Sequence, residues 1–77
     1  MTTSHAVLEV PGISCNHCKM AIEGAVGALD GVDQVAVDVA EKIVTVDFDA
    51  DQVSLESVEA AVRDEGYEVA GRRAVAG

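Results

Sequence analysis

The sequence predicts an α+β fold, a four-stranded antiparallel sheet with two helices packed on one face. Three observations carry that expectation. The hydrophobic period switches between two residues and about 3.6 residues along the chain, in the order strand, helix, strand, strand, helix, strand. Glycines fall where elements must end. A chain of 77 residues, 49% of them hydrophobic, suffices for one domain around one small core. With right-handed crossovers, this order gives the ferredoxin-like βαββαβ sandwich.

The first strand is expected over His5–Val10, where Leu8 and Val10 point one way and Glu9 the other. Pro11-Gly12 breaks it, and a loop runs to Cys15. From Asn16 to Leu29 the residues Cys18, Ile22, Ala25, Val26 and Leu29 share one helical face. Gly24 and Gly27 lie inside that helix, each costing up to about 1 kcal/mol relative to Ala. Their presence suggests close packing against the sheet. Asp30-Gly31 closes the helix, with Gly31 suited to a left-handed backbone.

Val32–Val39 alternates, with Val35, Val37 and Val39 on one side and Gln34, Ala36 and Asp38 on the other. Ile43–Phe48 alternates again, with Val44, Val46 and Phe48 inward. The two form a hairpin about Ala40-Glu41, although Ala-Glu is a poor two-residue turn and a longer loop fits better. The second helix is expected from Ser54, its N-cap, to Glu65, with Leu55, Val58, Ala61 and Val62 inward and Glu56 at the positive end. Gly66 ends it. Tyr67–Arg72 is the expected last strand. The domain thus spans 1–77, with a core at about 5–72 and a short flexible tail at 73–77 whose small residues, Ala74–Gly77, fray.

Composition narrows the function. Fourteen acidic residues against five basic ones give a net charge of −9, which opposes binding to a phosphate backbone, so no nucleic-acid partner is expected. The acids are scattered from Glu9 to Glu68, as a solubilising surface would have them. No apolar run approaches the roughly 18 residues needed to span a bilayer, and direct membrane insertion is not expected. The start, Met-Thr-Thr-Ser-His, lacks the pattern of a signal peptide. A cytoplasmic protein is expected, in which thiols stay reduced and a structural disulfide has no place.

The only two cysteines, Cys15 and Cys18, sit three positions apart at the start of the first helix. Free N–H groups and the positive end of the helix dipole favour thiolates there. A redox dithiol uses the same spacing, but normally in a longer chain with a parallel sheet and aromatic neighbours. A closed zinc site needs four ligands, and beyond the thiols only His5 and His17 offer nitrogen. Two thiolates alone suit copper(I), a soft ion that accepts few ligands. A near-linear pair needs sulfurs roughly 4.5 Å apart, within reach of this spacing.

Gly12-Ile13-Ser14-Cys15-Asn16-His17-Cys18 resembles the Gly-Met-Thr/Ser-Cys-x-x-Cys motif of heavy-metal-associated domains. Leu29-Asp30-Gly31-Val32, Val46-Asp47-Phe48-Asp49 and Glu65-Gly66-Tyr67 resemble the same family at the corresponding places. The likeness covers about residues 5–72 and favours the small bacterial copper chaperones of the CopZ type. It implies the same βαββαβ fold and a protein that is not an enzyme. It also implies Cu(I) bound by Cys15 and Cys18 and passed by ligand exchange to the metal-binding domain of a P-type copper ATPase.

Ile13 departs from the family's usual Met, a residue held there to be buried beneath the loop, and is expected to keep that burial. Ser14 stands where zinc-handling members tend to carry Asp, which favours copper. His17 is either a solvent-facing loop residue or, as preferred here, an imidazole tuning the thiols without binding metal. Tyr67 packs on the core, and by resemblance its hydroxyl approaches Cys15 or Cys18. Met20 should point about 200° away from Cys18 and serve as a surface residue. Lys19 is read as a solvated lysine.

Two other readings stand beside the chaperone: a small thiol redox protein, and a detached metal-binding domain of a larger ATPase or mercury-handling protein. Because two thiolates leave copper(I) under-coordinated, a weak copper-dependent homodimer is expected, opposed by charge repulsion and strengthened by salt.

Overall fold

Alternating apolar residues commit one face of each strand to the interior, and the two amphipathic helices cover that face. The computed structural model describes residues 3–76. Its elements are β1 (Thr3–Glu9), α1 (Asn16–Gly27), β2 (Val32–Asp38), β3 (Ile43–Asp49), α2 (Leu55–Asp64) and β4 (Gly71–Ala76). Every strand pairing is antiparallel, and the sheet order is β2-β3-β1-β4, the ferredoxin-like arrangement. Ala6, Leu8, Val44, Val46 and Phe48 from the sheet meet Ile22, Val26, Val58 and Val62 from the helices. Each large aliphatic side chain so buried contributes about 1.5–3 kcal/mol.

The helix boundaries follow local chemistry. Ser54 caps α2 by accepting the Ser57 amide at 3.2 Å, and Glu56 lies in its first turn. Gly31 has φ +98°, and a Cβ there would lie 2.7 Å from Cβ of Gln52. Only glycine fits that left-handed, crowded position. The β2–β3 register pairs Asp38 with Ile43, leaving residues 39–42 as the loop, longer than two residues as expected.

Four expectations need correction. Helix α1 stops at Gly27, two residues before Leu29, because Leu29 is drawn into a turn by its N–H bond to Val26 O. Gly24 does not pack closely: a Cβ there would meet nothing within 4 Å, and at Gly27 it would make only an ordinary 3.7 Å contact with Val35.

The last strand lies further along than Tyr67–Arg72. Its partner β1 ends at Glu9, which pairs with Gly71 and accepts the Ala70 N–H at 2.8 Å, so Tyr67 to Val69 lie beyond the end of the ladder. Tyr67 and Val69 pack against the core from an extended connection instead. Residues 74–76, expected to fray, continue the ladder, with Ala76 opposite His5. Gly77 lies outside the described residues.

Candidate metal centre

The loop between β1 and α1 is shaped by backbone bonds. The Val10 N–H donates to Lys42 O at 3.0 Å, and the Ile13 N–H returns to Val10 O at 3.2 Å. Ile13 is fully buried and fixes the loop to the core from below. Two residues on, Cys15 occupies the N-cap of α1 with an extended backbone, and its exposed side chain makes no cap hydrogen bond. The first turn of α1 holds no acid, so the positive end of the helix is left for the sulfurs.

Cys18 lies one turn further and is 9% exposed. The two sulfurs are 3.7 Å apart, with both thiols free. The Ser14 hydroxyl lies 4.0 Å from the Cys18 sulfur. The Cys18 thiol is lowered to about 6, first by the Tyr67 hydroxyl donating toward its sulfur, then by the Ser14 backbone and Cys15, against the opposing effect of burial. Tyr67 is correspondingly raised to about 12, because the same hydrogen bond and the charge on Cys18 hold its proton. The Tyr67 ring lies beside Gly12, where an added Cβ would make an ordinary 3.4 Å contact with its Cδ1.

Ser14, Cys15, Cys18 and Tyr67 are therefore brought together over the buried Ile13. His17 is exposed, and among the described residues no hydrogen bond links it to either sulfur. Met20 is 70% exposed, as its helical phase predicted. Lys19 is half-buried and not simply solvated: with Asn16, Val37 and Val39 it lines a groove of about 490 Å³ beside the loop. Sequence reasoning missed Gly12 as the seat of the Tyr67 ring. A glycine next to the only proline was the available signal, but it was read simply as a breaker.

Chemically, the pair is a soft, two-coordinate donor set with one thiol ionised near neutral pH. Among the described residues no group of three His, Cys, Asp or Glu side chains converges. The sulfurs at 3.7 Å must open by roughly 0.8 Å to take a near-linear ion, a change the exposed Cys15 can make by rotating its side chain.

The model of the heavy-metal-associated domain matches residues 7–68. This chain belongs to the heavy-metal-associated domain family. The copper chaperone CopZ of Bacillus subtilis is 49% identical over 63 residues, which cover 82% of this chain and 91% of that protein. Among solved structures, the putative copper-ion-binding protein from Bacillus anthracis is 43% identical with a TM-score of 0.85, over 88% of this chain and 96% of its own. The N-terminal domain of a potential copper-translocating P-type ATPase from Bacillus subtilis, solved in its Cu(I)-loaded state, is 27% identical with a TM-score of 0.83, over 94% and 92%. No helix among the described residues is long and apolar enough to cross a membrane.

Proposed function

We propose that this chain is a cytoplasmic copper(I) chaperone that carries the ion on Cys15 and Cys18 and yields it to the metal-binding domain of a P-type copper ATPase. The observation that carries this is the pair of sulfurs 3.7 Å apart, one exposed and one acidified, with no third donor converging among the described residues. Two thiolates hold a soft monovalent ion firmly, yet leave its coordination open to an incoming thiolate. That thiolate arrives on the exposed Cys15 side, and the buried Cys18 releases last. Tyr67 and Ser14 stabilise the Cys18 thiolate whenever copper is absent, and His17 tunes exchange from the solvent side.

The surface around the thiols suits docking to a protein. Residues 10–29 carry one lysine and one glutamate, so the net charge of −9 lies outside this window. Apart from the thiolates themselves, a partner first meets a loop without Asp, Glu, Lys or Arg side chains, which limits repulsion at the point of transfer. The likeness to an ATPase domain seen in a Cu(I)-loaded state supports a partner of the same fold. The same geometry lets two copies of this chain share copper(I) as a weak dimer through Gly12–Cys18 and the Gly66-Tyr67 region, and added salt strengthens it.

The test is anaerobic mixing of the Cu(I)-loaded chain with the apo N-terminal ATPase domain from Bacillus subtilis, followed by separation. Copper should redistribute even when a chelator scavenges any ion released to solvent. Copper that stays with this chain, or reaches the domain only through the chelator, contradicts the transfer reading. An acidified Cys18 beside Cys15 also suits a thiol redox protein. A dithiol potential poised near that of the glutathione pool, with weak copper(I) binding, would favour that reading instead.

A further inference from the structure

The β2 strand forms one edge of the sheet, and its outer backbone groups are a template for another strand. Its ends are blunted. The register with β3 slips between Val32 and Gln34, leaving Asp33 unpaired in a bulge, and Asp38 closes the other end. Between them Gln34-Val35-Ala36-Val37 is regular and uncharged. Such a regular, uncharged edge stretch is where edge-to-edge pairing begins.

One charged group is aimed at it. Glu23, half-buried on α1, accepts the Val37 N–H through Oε2 at 3.3 Å. That amide therefore points out of the sheet, away from β3. Residues two apart in an antiparallel strand direct their N–H and C=O groups to the same side, so Val35 also faces outward.

These two residues define a self-complementary register. A second copy of this chain laid antiparallel along β2, with the two-fold axis at Ala36, would set Val35 opposite Val37 of the other copy. Each such pair exchanges two backbone bonds, and this register avoids placing Asp33 opposite Asp38. Glu23 occupies the Val37 amide that half of those bonds require. Any approach would also drive its carboxylate against a second backbone already rich in acceptors.

We propose that Glu23 is an edge guard: its carboxylate holds the Val37 amide and so prevents β2 from pairing with β2 of a second copy of this chain. The guard sits on the same helix as Cys18, so the helix that presents the thiols also closes the sheet's open edge. Without copper the chain then stays monomeric with its loop uncovered.

Amide hydrogen exchange of the reduced, metal-free protein tests this directly. In the wild type, the Val37 amide should exchange about tenfold or more slowly than the Val35 amide, as expected for one charge-assisted hydrogen bond. In Glu23→Ala the Val37 amide should lose that protection when dilute, and sedimentation should show a dimer as concentration rises. Glu23→Gln, which keeps an acceptor oxygen, should remain monomeric. Glu23→Ala combined with Val35→Pro, which removes an edge donor, should return the monomer. Equal exchange at Val35 and Val37 in the wild type, or a Glu23→Ala chain that stays monomeric at every concentration, would overturn the proposal.

Discussion

Replacing Tyr67 by Phe removes the hydroxyl that does most to ionise Cys18 while keeping the ring against Gly12. The Cys18 thiol lies at about 6 instead of the ordinary 9.0, with Tyr67 first among the causes and Ser14 and Cys15 supplying the rest. Its titration should therefore rise by roughly one to two pH units in Tyr67→Phe, since a hydrogen bond to an anion is worth about that much. The readout is the midpoint of the pH profile for alkylation of Cys18, followed by peptide mapping. The rate at one pH is a poor substitute, because a more basic thiolate is also a better nucleophile.

Stability carries a second signature. A thiol lowered in the folded state stabilises the fold fully above about 9, and loses that contribution as pH falls through about 6. Tyr67, raised to about 12, has the opposite sign: its contribution is complete below 10 and is lost as pH rises through 12. Thermal unfolding of the reduced wild type should thus improve from pH 6 to 9, and the improvement should be smaller in Tyr67→Phe. A variant with an unchanged alkylation midpoint would show that the tyrosine does not acidify Cys18, and the account of the site would lose its main electrostatic element.

Two glycines should respond oppositely to Ala. Gly31→Ala must place a Cβ 2.7 Å from Gln52 at φ +98°, costing about 2 kcal/mol or more, whereas Gly24→Ala adds a methyl to open space and should stabilise by up to about 1 kcal/mol in urea unfolding. Ile13→Ala should destabilise by about 2–4 kcal/mol because the side chain is fully buried, whereas Ile13→Met should cost less than about 1.5 kcal/mol in the same assay. Arg72 donates twice to Glu59, whose side chain is 9% exposed, and holds its carboxyl below the usual range. Arg72→Met should destabilise the fold at pH 7, and less so as acid protonates Glu59 and removes its charge, which unfolding across pH will show.

The parts of the fold legible in the sequence were those set by local patterns. Alternation placed β2 and β3, the Ser54 side chain announced its helix, and Gly31 announced a left-handed turn. Tyr67–Arg72 misled because its alternation is real but serves a different purpose. Tyr67 and Val69 reach the core from a connection beside the metal loop, and the strand begins only where β1 offers a partner at Glu9. Strand pairing is a non-local property, and no local pattern shows where the partner ends.

The site divides in the same way. Cys15 and Cys18 could be read from spacing at a helix start, and the burial of Ile13 from its place in the motif. Resemblance brought Tyr67 to the sulfurs but not to one of them, so the asymmetry between an exposed Cys15 and an acidified Cys18 could not be read: no local pattern says which thiol a tyrosine 49 positions beyond Cys18 meets. His17 shows the reverse: adjacency in sequence suggested contact with the thiols, yet its side chain is exposed and hydrogen-bonds to neither sulfur among the described residues.

The central claim is that Cys15 and Cys18 together hold copper(I). Anaerobic titration of the reduced chain with Cu(I) against a strong chromogenic chelator tests it most directly, with Cys15→Ser, Cys18→Ser and the double variant run in parallel. The wild type should take one Cu(I) per chain from the chelator, and each single variant should lose most of that ability. The double variant should leave the chelator fully loaded. A double variant that still withdraws copper(I), or a wild type that fails to compete at all, would contradict the account.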